Sequence, residues 1–376
     1  MVKVCHMTSA HDSDDVRIFK KECVSLAQAG YDTYLVAKGD SREESGVHVI
    51  GVGTAPESRI RRMTEFANRV YKEALETDAD IYHLHDPELL PYAVKLKKRG
   101  KKVIFDSHEN HAAQIREKEY LPVLARETVS RLYRIRETWL VSKLDAVIVP
   151  CTFDGVNIFE GRARRTCFIA NYPRLEDFYN RYDPDAQKTN DVCYVGGLTY
   201  ERGIYHLVKA VYKAGKRLLL VGSFSNGEFE ARVRALPEFS CVDYMGSISN
   251  SRVAEVLQSC RVGANTLLDI GQYHHIDTFG VKVFEYMSMG IPVLLPDYPY
   301  MREMVEKYGF GICVKTDDTD DISQAICFLT DNPDKVCSMG QNGRRAVEIE
   351  FNWSTQEKKL LELYSTLADE QEERSK

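Results

Sequence analysis

Residues 191–222 read DVCYVGGLTYERGIYHLVKAVYKAGKRLLLVG, and the fold turns on this stretch. DVCYVGG and RLLLVG are short apolar runs, each closed by glycine, with a helical segment between them. A strand, a helix and a second strand of this length make a parallel βαβ unit, because parallel strands need a crossover connection. The pattern continues through CVDYMG, RVGANTL, IPVLLP and FGICV, giving six strand-like runs in all. Gly196, Gly222 and Gly246 stand at the carboxyl ends of the first three. In open parallel sheets ligands bind at that edge, and glycine lets a phosphate or base approach the backbone.

Working towards the N-terminus, the same alternation recurs. VKVCHM, YDTYLVA, VHVIGV, DIYHLH, KKVIFDSHE and LDAVIVP read as strands. DVRIFKKECVSLAQAG places Val16, Phe19, Cys23, Leu26 and Ala27 at helical spacing and stops at Gly30. Asp86 before Pro87 predicts a capped helix start, and Lys97, Lys98, Arg99 and Gly100 its end. The expected class is α/β, with two doubly wound Rossmann-like domains facing across a cleft. The boundaries fall at 1–170 for the first domain and 171–190 for a polar, Tyr-rich linker. The second domain spans 191–353, and 354–376 is a closing amphipathic helix packing back on the first domain. DEQEERSK at the end is expected to fray.

The chain has 376 residues, enough for two domains, and its apolar content supplies ample core. No apolar stretch is long enough for a membrane span. The opening MVKVCHMTSAHDSDD lacks the apolar core of a secretory signal, so the expected location is cytoplasmic. Ten cysteines without a C-x-x-C pair read as small core residues in a reducing compartment. The net charge of −6 argues against nucleic acid as a partner. That charge is uneven: residues 1–170 hold 27 basic against 25 acidic side chains, and 171–376 hold 23 against 31. Two halves of net +2 and −8 suggest two different partners.

HHIDTFGVKVFEYMSMGIPVLLP, residues 274–296, is the segment richest in chemistry. Thr278, Phe279 and Gly280 lead into a helix from Val281 to about Met289. Its N-terminus offers unpaired N–H groups and a positive dipole end to a phosphate. Lys282 in the first turn adds a full charge. Glu285, three residues on, shares its face and can accept from a ribose diol. Asp277 can hold sugar hydroxyls. The same residues also fit a capped helix carrying a Lys282–Glu285 surface pair.

The segment resembles the donor-site signature of retaining GT-B glycosyltransferases, family 4, of the bacterial cell-surface polysaccharide assembly type. Asp277 and Glu285 stand at its two acidic positions, with Phe279, Gly280, Gly290 and Pro292 in register. Asp277 departs from the family's usual glutamate. DVRIFKKECVSLAQAGYDTYLVA, HLHDPELLP, FDSHE, YVGGLTYERGIYHLVKA and FNWSTQEKKLLELYSTL are similar to family segments in the family's order. The resemblance implies a nucleotide-sugar donor held by Gly196, Gly197, Arg202, Gly222, Gly246, Asp277, Phe279, Gly280, Val281, Lys282 and Glu285. Arg202 and Lys282 would neutralise the diphosphate as it leaves; Gly197 stands where many members have Arg. Catalysis would fall to His108, Arg202, Lys282 and Asp277. The acceptor side would include Asp14, Asp15, Arg17 and His108, although Asp14 and Asp15 also read as helix caps. The implied mechanism is front-face displacement with retention and no side-chain nucleophile.

No cofactor is expected beyond the nucleotide sugar, with UDP-sugars favoured. No G-x-G-x-x-G follows the first strand. No obligatory metal is expected either: Asp12-Ser13-Asp14 spells D-x-D but opens a helix, and the His and Cys residues show no zinc spacing. The acceptor implied by the resemblance is a glycan or a lipid-linked glycan. Two Arg-rich helical stretches fit an anionic membrane surface on the inner face of the plasma membrane. One holds Arg59, Arg61, Arg62 and Arg69. The other holds Arg126, Arg131, Arg134 and Arg136 among Leu132, Tyr133, Ile135, Trp139 and Leu140. Both also read as ordinary solvated helix faces. A GT-B-like sugar-nucleotide epimerase and a two-lobed sugar-binding protein share the architecture.

Overall fold

The computed structural model describes residues 1–117 and 122–375. The chain divides into two compact units, Met1–Asn171 together with Ser354–Lys376, and Tyr172–Trp353. The first is built on an eight-stranded sheet. Its strands are β1 (Lys3–Asp12), β2 (Asp32–Lys38), β3 (Arg42–Glu44), β4 (Val47–Gly51), β5 (Ile81–Leu84), β6 (Lys102–Asp106), β7 (Ala146–Val149) and β8 (Thr166–Phe168). They lie in the order β3-β4-β2-β1-β5-β6-β7-β8, and every pairing but β3–β4 is parallel. The edge strands β3 and β8 were not expected. Arg42-Glu43-Glu44 is too charged to read as a strand, but a charged, three-residue strand suits a sheet edge because it discourages further pairing.

The segment after β1 departs from a regular amphipathic helix. It begins as a π-helix, Val16–Cys23, and only then becomes α-helical over Val24–Gln28. Its wide turns face inward not only Ile18, Phe19 and Cys23 but also Arg17, Lys21 and Glu22. Inserted π-turns of this kind cluster at functional sites.

Two expectations need correction. Asp86 does not cap the helix after β5. Its carboxylate instead accepts from the Thr8 hydroxyl (2.8 Å) and from the N–H groups of Ser9 (2.6 Å) and Ala10 (3.2 Å). Those donors lie on β1, the neighbouring strand, and three of them outweigh a single cap bond. The C-terminal segment does not fray before its last residues: the helix Trp353–Ser375 runs on through Asp369–Ser375. Glu370 there accepts from Lys102 Nζ and Arg165 Nη2, both at 2.7 Å. The two pairs hold Glu370 down to about 2. They belong to the first unit, as does Tyr364, fully buried on the same helix.

The second unit carries β9 (Asn190–Val195), β10 (Leu218–Val221), β11 (Val242–Gly246), β12 (Cys260–Ala264), β13 (Val293–Pro296) and β14 (Gly311–Val314). The order is β11-β10-β9-β12-β13-β14, all parallel. This is the doubly wound order, and its direction reverses between β9 and β12. The Tyr-rich passage packs on this unit: the Arg344 guanidinium is held between the rings of Tyr179 and Tyr182, at 3.9 and 4.1 Å. Aromatic and cation–π contacts thus fix a stretch that reads as linker from its polarity.

Candidate active site

In the second unit the site grows from the reversal of strand order. β9 ends at Gly196, whose φ is +137°, and β10 at Gly222, whose φ is +139°. A Cβ added at Gly222 would run into the Gly196 carbonyl oxygen. One at Gly196 would lie 3.3 Å from Arg202 Nη1 and 3.5 Å from Lys282 Nζ. Two cations from separate elements therefore converge on a bare stretch of backbone. Gly197 leaves room for Arg202 as well, since a Cβ there would sit 3.5 Å from Nη1. Arg202 is set by the loop after β9: its N–H donates to Thr199 Oγ1 (3.2 Å) and its carbonyl accepts from Thr266 Oγ1 (3.1 Å).

The helix Val281–Ser288 starts at Gly280, which supplies no side-chain cap. Its first N–H groups carry the positive end of the helix dipole, and Lys282 lies in that first turn. Tyr286, fully buried, fixes the helix by accepting from the Val195 N–H at 3.0 Å. The Lys282 ammonium is buried without a hydrogen-bond partner and rests 3.8 Å over the ring of Tyr194. Burial and neighbouring Arg202 push it well below the usual lysine range, against the opposing pull of Glu285. A buried ammonium beside a guanidinium is costly unless an anion joins them. This cluster can therefore bind a polyphosphate.

The other donor-side residues fall into place unevenly. Asp277, Thr278 and Glu285 are half-buried. Val281 is exposed. Gly246 ends β11, and its carbonyl accepts from the Gly222 N–H at 2.8 Å. Phe279 packs its ring against Phe284, Tyr300, Phe310 and Phe351, so only its backbone is offered to a ligand.

In the first unit, His108 lines a cavity of about 470 Å³ together with His11, Arg59, Arg62, His85 and Tyr133. Burial pushes His108 down to about 4, with the charge of Arg17 adding to the effect and that of Asp106 opposing it. It is therefore a neutral acceptor or donor near neutral pH. Arg17 does not reach the cavity. Its Nε and Nη2 donate to the two oxygens of Asp106 at 2.8 and 3.1 Å, and Nη2 also to the Ile169 carbonyl. Asp15 caps the π-helix, accepting from the N–H groups of Arg17 and Ile18. Asp14 is exposed. Sequence reasoning missed Asp106, Glu22, His6 and His83, which meet Arg17 and His85 beneath the cavity. The i, i+2 spacing of His83 on β5 and His85 just past its end was the available signal, since residues two apart in extended chain share a face.

A family model described as Glycosyltransferase Family 4 matches residues 20–171, and one described as Glycosyl transferases group 1 matches residues 189–332. The chain is a GT-B glycosyltransferase of the family-4 type. Among related proteins, this glycosyltransferase is 24% identical over 325 residues to a phosphatidyl-myo-inositol mannosyltransferase of Mycobacterium leprae, covering 83% of this chain and 80% of that one. It is 26% identical over 146 residues to a GDP-mannose-dependent monoacylated alpha-(1-6)-phosphatidylinositol monomannoside mannosyltransferase of Corynebacterium glutamicum. That match spans 38% of this chain and only 37% of the relative's length. In fold it is similar to HepE of Anabaena, in a complex with UDP and glucose. The TM-score is 0.71 at 15% identity, over 97% of this chain and 100% of that one.

Proposed function

We propose that this glycosyltransferase moves a sugar from a nucleotide-diphosphate sugar to a glycan or lipid-linked glycan, with retention of the anomeric configuration and without an obligatory metal at the phosphates. The observation that carries the reading is the buried Lys282 ammonium, without a hydrogen-bond partner among the described residues, beside Arg202 and the uncapped helix at Gly280. As the glycosidic bond breaks, the leaving diphosphate gains negative charge, and preorganised cations lower that barrier. Glu285 takes the ribose and Asp277 the sugar hydroxyls. His108, neutral in its cavity, contacts the acceptor, whose remaining length occupies the space lined by Arg59, Arg62 and Tyr133.

A UDP-sugar is the first donor to test, because HepE is seen with UDP and glucose. GDP-mannose is the second, from the name of the Corynebacterium relative. The phosphatidylinositol-linked acceptors named for the mannosyltransferase relatives favour an acceptor at a lipid surface. No helix among the described residues is long and apolar enough to cross a membrane. The helix Val123–Val141, however, leaves Leu124, Leu132, Ile135 and Trp139 more than half exposed, beside exposed Arg131, Arg134 and Arg136. Such a face suits contact with anionic lipid, at the cytoplasmic side in this reading.

The test is equilibrium binding of UDP- and GDP-sugars to the parent, Arg202→Ala, Lys282→Ala and Glu285→Ala proteins. Parent-like affinity in all three variants would overturn the donor site. NMR of the product's anomeric proton decides retention, and a rate indifferent to added Mg²⁺ or Mn²⁺ decides the role of metal. Incubation with donor alone separates transfer from epimerisation.

A further inference from the structure

We propose that His6, Glu22, His83 and His85 of the first unit form a closed site for a divalent transition-metal ion, zinc by the chemistry of its ligands, remote from any role at the donor phosphates. The four residues come from β1, the π-helix, β5 and the residue that follows its last one, Leu84. Register brings His6 directly opposite His83 on adjacent parallel strands. His83 and His85 lie two residues apart, so the strand pleat turns them to one face. Glu22 reaches them because the π-helix turns it inward. One ligand atom from each lies within 4.8 Å of every other. Glu22 Oε2 is the hub, 3.9 Å from His6 Nδ1, 3.8 Å from His83 Nδ1 and 3.9 Å from His85 Nε2. Ligands of a tetrahedral zinc ion, bound at about 2.0–2.2 Å, stand roughly 3.4 Å apart. The His6–His85 pair, at 2.9 Å, must open, His83 Nδ1 must give up its 2.8 Å hydrogen bond with Tyr364 Oη, and the three contacts to Glu22 must close by about 0.5 Å.

Charge and hydrogen bonding argue for an ion. All four side chains are fully buried. Both Glu22 oxygens lack a hydrogen-bond partner. Arg17 Nε lies 3.1 Å from Oε1, yet its N–H is directed to Asp106, so one guanidinium serves two carboxylates. The imidazole nitrogens stand too far from Oε2 to donate a hydrogen bond to it. A cation at the centre answers both deficits, and three nitrogens with one carboxylate select a borderline-soft ion over calcium or magnesium. Outer partners are already present. Tyr364 Oη lies 3.1 Å from His6 Nε2 and can accept from it. The far nitrogen of His85, Nδ1, faces Asp106 Oδ2 at 3.7 Å. Carboxylate and hydroxyl partners of this kind fix ligand tautomers in metal sites. Tyr364 belongs to the closing helix, so the ion would also tie that helix to the sheet.

The experiment uses the full chain, stripped with chelator and then dialysed against zinc or cobalt. About one zinc per chain is expected by elemental analysis, with the visible spectrum of low-coordinate cobalt and a zinc-dependent rise in Tm. Glu22→Gln should lose the cobalt spectrum and the Tm response while keeping the far-UV spectrum of the parent. His83→Gln serves as the second variant if Glu22→Gln does not fold, and His274→Gln, in the other unit, should behave as the parent. The proposal is overturned if the stripped parent takes up no zinc, or if the Glu22 and His83 variants bind it equally well. None of these readouts uses donor or transfer, so their failure is separate from failure of the transferase reading.

Discussion

The two units both bury charge, and they do so in opposite ways. In the first, Arg17 is closed off by Asp106, and that carboxylate lies well below its usual range because the guanidinium overcomes the effect of burial. In the second, Lys282 and Arg202 converge, and among the described residues the ammonium makes no hydrogen bond. A buried pair is spent on holding structure; a buried cation without a hydrogen-bond partner is held ready for a ligand. Removing one member of each should therefore damage different properties.

Asp106→Ala should lower stability by about 3 kcal/mol, since it leaves the buried Arg17 guanidinium with Glu22 as its one remaining carboxylate among the described residues; chemical denaturation measures it. Lys282→Ala should leave Tm unchanged or higher, while transfer falls on the order of 10²–10³-fold. If the lysine variant melts early with activity intact, the contrast between the units collapses. Gly222→Ala sharpens it at the backbone. A Cβ at φ +139° aimed at the Gly196 carbonyl should cost roughly 1–3 kcal/mol and weaken donor binding together, read by melting and by titration of nucleotide.

Acid should act through the first unit. His6 and His83 lie well below the usual imidazole range because of burial, and His108 lies at about 4. As pH falls below about 6.5 the unfolded chain takes up these protons and the folded chain does not, so stability declines from there towards pH 4. Melts of chelated protein between pH 8 and 4 check this, and His108→Gln should flatten the slope. Within the same unit, Asp86→Ala should cost about 1–3 kcal/mol, because buried donors on β1 lose their acceptor, and Asp15→Ala about 1 kcal/mol as a lost cap. The smallest effect is expected on the exposed helix. Arg134→Ala should reduce flotation with anionic vesicles by about 1 kcal/mol of binding, roughly fivefold, and high salt should abolish the difference.

All six strands of the second unit were legible, because a buried parallel strand needs an apolar run and its ligand edge needs glycine. The residues proposed for the donor site, Gly196, Arg202, Gly280 and Lys282, lie in short local patterns around strand ends and a helix start. β3 escaped because charge hides an edge strand. Asp86 was misassigned because a cap and a cross-strand acceptor look alike in sequence; only its position beside β1 chooses between them.

By itself, then, the sequence determined two doubly wound units, the family, and the cations proposed for the donor phosphates, since each depends on residues near one another in the chain. Only the tertiary structure decided that Arg17 pairs with Asp106, and that His6, Glu22, His83, His85 and Tyr364 meet. Those contacts span up to 358 residues. They depend on strand register and on a π-turn, neither of which leaves a periodic mark in the sequence.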